Sequence, residues 1–232
     1  MKEMLKFIVI VAVFSFLNVS LLNASGGQKM PDEKKKIVLP EPRYESEISV
    51  EESILKRRSV RNYLDKSLEL EEVSQLLWAA QGITDEKRKF RAAPSAGALY
   101  PLEVFIVVGN VSSLENGIYK YNPFAHEIIM LKEGDYRDNL SFAALGQSCV
   151  KNGAISIVFV GVYDRITGKY GERGIRYTYM EVGHAAENVY LQAEALGLGT
   201  VVVGAFLDDK VKEVMGMKEE ETPLYILPVG KK

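Results

Sequence analysis

The sequence of 232 residues contains a single cysteine and only two histidines. With Cys149 alone, the chain can form neither an intrachain disulfide nor a thiolate metal cluster. His126 and His184 are too few for a histidine-rich metal site, and they offer little to a hydrolytic triad. The sequence therefore predicts no metal centre, and it predicts that Cys149 is buried and unreactive.

The chain also lacks a strong excess of charge of either sign. Its formal net charge is -2 at pH 7 and its pI is about 5.9. This balance gives no basic field that would attract nucleic acid and no acidic tract that would favour disorder. Walker-type and G-x-G-x-x-G phosphate loops and the G-x-S-x-G nucleophile motif are absent as well. We expect no nucleic-acid partner, and any site for an anion must be local.

An apolar run without a charged residue occupies residues 7–22, directly after Lys2 and Lys6. This pattern is typical of an export signal, and the run is slightly short for a membrane span. We expect residues 1–24 to be a cleaved signal peptide or an uncleaved membrane anchor, so that the protein is exported or membrane-anchored and extracytoplasmic. If the segment is not a signal, the protein is cytoplasmic; a buried N-terminal helix is the alternative. Residues 25–49 are polar and broken by proline, which predicts a linker.

Residues 50–232 have the pattern of one folded domain. Apolar residues recur at helical spacing in "SLELEEVSQLLWAAQG", and "EVGHAAENVYLQAEALG" predicts a central helix. Strands are predicted in "EVFIVV", "GIYKYNPFAHEIIML", "AISIVFVGVY", "TVVVG" and "PLYILPVG", whereas "DRITGKYGERG" predicts a polar loop. Because helices and strands do not alternate as βαβ units, the pattern favours a three-layer α+β domain.

A basic segment, "KRRSVRNY", follows a short predicted helix. It places Arg57, Arg58 and Arg61 around Ser59. Guanidinium groups offer planar pairs of donors that match phosphate oxygens, so the segment is a candidate phosphate receptor. A solvated basic face, or cations placed at the C-terminus of a helix, is the alternative.

A loop of small residues, "PSAGALYP", precedes the first long strand. Ser95, Ala96 and Gly97 leave the backbone uncovered, so a flat ligand can approach it closely. The alternative is a tight turn into the strand. Further along, "GLGTVVVGAF" combines a buried strand with a glycine turn.

The motifs "RRSVR", "PSAGALYP" and "GLGTVVVGAF", in this order, resemble the nitroreductase family of FMN-dependent oxidoreductases. The resemblance covers residues 51–231, and it is closest to the SagB-type branch, whose members oxidise azoline rings in modified peptides. It implies a nitroreductase-like fold, with a mixed β-sheet flanked by helices, a long central helix and an intertwined homodimer.

The resemblance also implies a cofactor site for FMN. In relatives the arginine–serine segment binds the FMN phosphate, and a basic residue after the last strand often joins it. The "PSA" loop of the partner subunit lies against the isoalloxazine, whose reactive edge faces the segment after "GLGT". Many relatives also carry Asn and Gln where this chain has Ala98 and Tyr100. The implied FMN-binding residues are Arg57, Arg58, Ser59, Arg61, Pro94, Ser95, Ala96, Gly97, Tyr100, Val203, Gly204, Ala205 and Lys231.

Lys169 and Tyr170 match a Lys–Tyr pair that removes a proton in the azoline dehydrogenases; a solvated surface lysine is the alternative. The implied activity is transfer of hydride equivalents from NAD(P)H to a quinone or nitro compound in a two-step flavin cycle. The first alternative function is oxidation of an azoline or related heterocycle. The second is that the protein is a non-catalytic extracytoplasmic flavin-binding module.

Overall fold

The computed structural model describes residues 35–232, so the predicted signal or anchor over residues 1–24 lies outside the described residues. The helices are α1 (Val50–Lys56), α2 (Leu70–Gln81), α3 (Arg137–Ala143), α4 (Ser148–Asn152), α5 (Asp164–Tyr170), α6 (Arg173–Ala195) and α7 (Asp208–Met215). The strands are β1 (Lys36–Val38), β2 (Ile83–Asp85), β3 (Phe90–Arg91), β4 (Leu102–Val108), β5 (Gly117–Asn122), β6 (Glu127–Glu133), β7 (Ile155–Val162), β8 (Leu198–Thr200) and β9 (Glu221–Lys231). In this part of the chain, no helix is both long and apolar enough to cross a membrane.

Seven strands form one sheet in the order β1-β6-β5-β4-β7-β9-β8, and β2 pairs with β3 in a separate hairpin. Neighbouring strands of the large sheet run antiparallel. Parallel pairing enters through single bridges, one of which joins Ser59 to Thr200 beside β8. The sheet is therefore mixed, and the basic segment lies at its edge.

The sheet is buried on both faces. On β4, Val104 and Ile106 pack in a core shared with α2 and α6, whereas Phe105 and Val107 pack in a second core shared with α3, α4 and α7. This alternation follows from the two-residue period of a strand, and it places helices on each side. The predicted three-layer α+β fold is confirmed.

The amphipathic helix predicted before Gly82 is confirmed as α2. Its first turn is closed by a capping box, in which the Glu69 amide donates to the Glu72 carboxylate at 2.8 Å. The Gly82 amide donates to the Trp78 carbonyl oxygen at 2.7 Å and ends the helix. Polar residues at both ends thus fix the length that the apolar spacing predicts.

Helix α6 is longer than the sequence predicts, since it begins at Arg173 rather than near Glu181. Gly174 hides this start because glycine disfavours a helix. A Cβ at Gly174 would lie 3.1 Å from atoms of Ile166, so α5 packs closely against this turn of α6. Gly174 therefore allows α5 to pack closely against α6, and it does not interrupt the helix.

Two other local predictions are wrong. The predicted polar loop around Lys169 is helix α5, which ends at Gly171 with φ +57°. The predicted strand "TVVVG" is paired only over β8, after which Val203 makes a single bridge to Ile226. The ladder is interrupted between these two points, where the Val202 amide donates to the hydroxyl of Tyr190 at 2.8 Å.

The prediction of a linker over residues 25–49 is wrong from Lys36 onward. Strand β1 pairs with β6, and Leu39 is buried in the first core. The Arg43 amide donates to the Gln75 side chain at 2.8 Å. The proline and charged residues of this segment are typical of a linker. The contacts that fix it are made by backbone groups and by the buried Leu39, which composition does not reveal. The folded domain includes it.

A histidine joins this segment to the sheet. His126, in the turn between β5 and β6, lies 3.0 Å from the Pro40 carbonyl oxygen through Nε2 and 2.7 Å from Ser74 Oγ. The Pro40 carbonyl oxygen can only accept, so Nε2 carries a proton, and in the neutral imidazole Nδ1 then accepts from the Tyr121 hydroxyl at 2.8 Å. Burial lowers the pKa of His126, although the Pro40 carbonyl and Glu41 act in the opposite direction.

We expect the free energy of unfolding to decrease as the pH falls below about 6.5, the ordinary pKa of histidine. The unfolded chain binds a proton there that the folded His126 does not, so acid favours unfolding. His126→Asn removes the titrating group and tolerates the left-handed φ of +45°. Urea unfolding between about pH 5 and 8 should show that this variant has lost the acid-side slope. His184→Asn, at an exposed histidine, is the control and should keep it; the same slope in His126→Asn would contradict the assignment.

Candidate active site

The basic segment is fixed along the edge of the sheet by backbone contacts. The Val60 amide donates to the Thr200 carbonyl oxygen and the Leu64 amide donates to that of Lys231, both at 2.9 Å. A Cβ at Gly199 would lie 2.7 Å from the Val60 side chain, so only glycine allows this approach. Residues 57–64 therefore have a defined path beside β8 and β9.

Tyr190 of α6 connects this segment to the chain after β8. Its hydroxyl accepts from the Val202 amide at 2.8 Å and lies 3.0 Å from Ser59 Oγ, while its ring lies 5.1 Å beneath the Arg57 guanidinium. Because the tyrosine oxygen accepts from Val202, its own proton can go to Ser59. The Ser59 hydroxyl is then free to donate to an anion.

The three arginines of the segment have different surroundings. Arg57 Nε lies 3.9 Å from Glu187, which is a loose ion pair. Arg58 turns back and donates from Nη1 to the Leu55 and Arg57 carbonyl oxygens, at 3.0 and 2.8 Å, so it closes the end of α1. These contacts leave Arg57 available to an anion and engage Arg58.

Arg61 lies at the other end of the segment, near Cys149. Burial raises the pKa of the Cys149 thiol, and the charge of Arg61 partly opposes that shift. Cys149 is 3% exposed, which confirms the prediction of a buried thiol. The Arg61 side chain itself is exposed, so it is accessible to an anion.

The segment predicted at the reactive edge of the flavin divides into two parts. The Val203 amide is taken by the Ile226 carbonyl oxygen at 2.8 Å. Gly204 and Ala205 are exposed, and neither amide donates to another residue within positions 35–232. The amides of Gly204 and Ala205 are therefore two adjacent donors that remain available to a ligand. They follow closely after Val202, whose own amide is bonded to Tyr190.

Lys231 does not join the arginines. Its ammonium group pairs with Glu72 of α2 at 2.5 Å, and its carbonyl oxygen accepts from the amide of Leu64, the residue that follows the basic segment. The sequence indicates a cation at this place, but it does not reveal the carboxylate that α2 supplies.

Residues 94–100, which we call the ring loop, are bound to the N-terminal half of α6. The Ala96 amide donates to the Glu181 carboxylate at 2.8 Å, and the Tyr100 amide donates to Ser95 Oγ at 2.8 Å. Burial raises the pKa of Glu181, and the hydrogen bonds from Ala96 and Ser95 oppose that shift. Pro94 and Gly97 are exposed beside these anchors.

The backbone of the ring loop is strained. Gly97, Ala98 and Tyr100 have φ of +63°, +53° and +49°, and the last two are not glycine. Such residues are held only where surrounding contacts determine the conformation, and they concentrate at functional loops. The Glu181 and Ser95 hydrogen bonds supply those contacts.

The side chains of Lys169 and Tyr170 lie against the ring loop. A Cβ at Gly97 would be 2.8 Å from Tyr170 Oη and 2.9 Å from Lys169 Nζ. The Lys169 ammonium lies 5.4 Å from the centre of the Tyr170 ring. The sequence predicts each of these groups separately, and the structure brings them together.

The ring loop and the basic segment are attached to different faces of α6. Glu181 and Tyr190 are nine residues apart on this helix, which is two and a half turns, or about 13 Å along the axis. The two side chains therefore point in opposite directions. Within one chain, the candidate phosphate group and the candidate ring surface are separate half-sites.

Sequence reasoning missed the residues that hold these half-sites. Tyr190 and Glu181 stand in a helix whose apolar spacing predicts only packing. Arg91, which lies beneath the ring of Tyr100 at 4.6 Å, belongs to a charged stretch typical of a solvated hairpin. Glu181 is the residue that could have been noticed, because a carboxylate on an otherwise apolar helical face indicates a specific partner when it is buried.

The family model described as the nitroreductase family matches residues 54–231. The chain belongs to the nitroreductase family, whose members are generally FMN-dependent oxidoreductases.

Individual relatives agree with this assignment. A Methanocaldococcus jannaschii protein named as a nitroreductase is 47% identical over 186 residues, which are 80% of this chain and 92% of the relative. A crystal structure from Anabaena variabilis, also named as a nitroreductase, superposes with a TM-score of 0.76 at 32% identity, over 85% of this chain and 42% of that one. The microcin B17-processing protein of Escherichia coli is 27% identical over 71% of this chain and 63% of its own length.

We expect Tyr190→Phe to loosen the frame around Ser59. The ring remains under Arg57, but the Val202 amide and the Ser59 hydroxyl lose their shared partner, at a cost of about 1–3 kcal/mol. Thermal unfolding should show the loss, and hydrogen exchange at Val202 should be faster. Tyr179→Phe is the matched control on α6, since within residues 35–232 its exposed hydroxyl bonds only to that of Tyr163. Equal effects of the two variants would rule out a special role for Tyr190.

Proposed function

We propose that this protein is an FMN-dependent oxidoreductase that passes hydride equivalents from NAD(P)H to a quinone or nitro compound. One observation carries the proposal: the Tyr190 hydroxyl holds the Ser59 segment and the segment before Gly204 in a single frame. Tyr190 thus sets the distance between an anion receptor and two free backbone donors. This arrangement suits a ligand that has a phosphate at one end and a flat polar edge at the other.

The residues present fit FMN. Arg57, Ser59 and Arg61 would bind the phosphate through charge-assisted hydrogen bonds. The amides of Gly204 and Ala205 would face the polar edge of the ring, where hydrogen bonds adjust its electron affinity. FMN, when bound, supplies the acceptance and release of a hydride. The protein binds it, orients its edge and limits the access of water.

A homodimer would complete the site. The ring loop is attached to the face of α6 opposite the basic segment, about 13 Å further along the helix, so a flavin held at Ser59 would need a ring loop from a second copy. The apolar side chains that α1 exposes, Val50, Ile54 and Leu55, support an interface between copies near the basic segment.

A second candidate function is the oxidation of an azoline or related heterocycle. It is favoured by the contact of Lys169 and Tyr170 with the ring loop at Gly97. When a carbon–hydrogen bond of such a substrate gives up a hydride, a base has to take the accompanying proton. Lys169 Nζ would be that base in its neutral form. In the first function, protons reach the reduced acceptor from water.

Binding of FMN tests the cofactor assignment. The purified protein should be yellow, and Arg57→Ala and Arg61→Ala should each weaken FMN by about 1.5–3 kcal/mol, the contribution of a charged hydrogen bond. Arg58→Ala is the internal control, because Arg58 already donates to carbonyl oxygens of α1 and should matter less. Fluorescence titration with FMN measures all three. Equal affinity in every variant would show that the cluster is only a solvated face.

Anaerobic reduction separates the two enzymes and the non-catalytic module. NADH or NADPH should bleach the flavin band, and p-benzoquinone should restore it. Lys169→Ala and Tyr170→Phe should retain this cycle within a few-fold, because neither has to remove a carbon-bound proton.

Two other outcomes would change the assignment. A loss of about a hundredfold or more, the scale of general acid–base catalysis, would favour the dehydrogenase. A bound flavin that NAD(P)H does not reduce would favour the non-catalytic module, provided that dithionite bleaches the band.

A further inference from the structure

A cavity of about 540 Å³ lies behind the ring loop. It is bounded by the ring loop, by β3, by the turn between β5 and β6, and by α5. This volume is ample for a small aromatic molecule. The side chains that decide its chemistry are Arg91, Tyr100, Glu103, Lys120, Phe124 and Arg165.

The lining of the cavity carries more positive than negative charge. Its three cations face one carboxylate, Glu103, which Arg165 and Lys120 share. Lys120 is also bonded to Glu221, at 3.0 Å. Arg91 has no carboxylate within ion-pair distance among residues 35–232. Burial lowers the pKa of Arg91 and the nearby Glu103, which Arg165 and Lys120 share, opposes that shift, so the charge of Arg91 is only partly compensated.

The guanidinium of Arg91 is held in one orientation. It lies 4.6 Å from the centre of the Tyr100 ring and 5.6 Å from that of Phe124. Its Nη1 donates to Gln81 Oε1 at 3.0 Å and to the Leu102 carbonyl oxygen at 3.4 Å, both neutral acceptors. Its Nε is buried and, like Nη2, bonds to no other residue among positions 35–232, so Nη2 is the nitrogen that it can offer to a molecule in the cavity. Burial lowers the pKa of Arg91, so a bound anion would stabilise its charge.

The cavity adjoins Lys169 and Tyr170. Arg165 Nη1 donates to the Tyr100 carbonyl oxygen at 3.2 Å and thereby joins α5 to the ring loop. Lys169 follows Arg165 by four residues on α5, so the two cations lie on neighbouring turns of one helix face. A molecule in the cavity would therefore lie beside the same loop that these residues contact.

We propose that this cavity binds planar aromatic carboxylates, with the carboxylate on Arg91 and the aromatic ring beside Tyr100 and Phe124. The N–H groups of Nη2 can donate charge-assisted hydrogen bonds to a carboxylate, and the two rings provide flat apolar walls. The inference rests on the proposed function for one further step, in which such molecules are the electron acceptors. For a nitrobenzoate, NAD(P)H supplies a hydride through FMN, water supplies one proton, a nitrogen–oxygen bond breaks and water leaves, which gives the nitroso compound.

Calorimetric titration of the full chain with benzoate and benzamide tests the binding without any turnover. The two probes have the same shape and differ in charge, so we expect benzoate to bind at least about tenfold more tightly. Arg91→Gln should abolish this preference, and Arg91→Lys should retain only part of it, because an ammonium group is not planar and would not be held between the two rings in the same way.

Arg88→Gln is the matched control. Arg88 lies on the same hairpin, pairs with Asp85 at 3.1 Å and does not line the cavity. This variant should keep the full preference for benzoate. Equal binding of benzoate and benzamide to the unmodified chain would overturn the proposal, as would a preference that persists in Arg91→Gln. If Arg91→Gln does not fold, Arg91→Lys decides: an undiminished preference would overturn the proposal.

Turnover is measured separately, with 4-nitrobenzoate and 4-nitrobenzamide as acceptors. A lower KM for the charged acceptor, lost in Arg91→Gln, would support the step that rests on the proposed function. Reduction of neither acceptor, with benzoate binding intact, would contradict that function and leave the binding site standing.

Discussion

Helix α6 holds the two parts of the site through one carboxylate and one hydroxyl. Glu181 binds the backbone of the ring loop, and Tyr190 binds both Ser59 and the Val202 amide. Between these two residues the helix packs in the first core through Val182 and Val189. Neither anchor can move without disturbing that core, so the position of every candidate site residue depends on this helix.

The spacing of the two anchors fits the proposed homodimer, in which two copies would share a site. The nine-residue interval turns Glu181 and Tyr190 to opposite faces, and burial of the helix prevents local motion from bringing them together. In the proposed homodimer, each α6 presents a phosphate receptor to one flavin and a ring loop to the other. FMN affinity would then depend on association of the subunits as well as on the arginines.

The sequence predicts those features that arise from short-range patterns. The apolar spacing of α2, the runs of β4 and β7 and the arginines around Ser59 are all local, and the structure contains them. Features that depend on distant partners are not predictable in this way. Gly174 resembles a helix break until Ile166 is seen against it, and Lys231 resembles a phosphate ligand until Glu72 is seen beside it. The segment after Lys36 was hidden similarly, because β6 supplies its pairing.

In the proposed function, the two half-sites have different tasks. The candidate phosphate half-site would use backbone amides and a few charged side chains beside β8, where the basic segment is bonded to the sheet edge. The opposite half-site would use α5 and the β2–β3 hairpin, which Arg165 and Arg91 join to β4 through Glu103 and the Leu102 carbonyl oxygen. Arg91, Arg165 and Lys169 all belong to these two elements. Selection of an acceptor would therefore depend on the charges of α5 and the hairpin, and binding of the cofactor on the edge of the sheet.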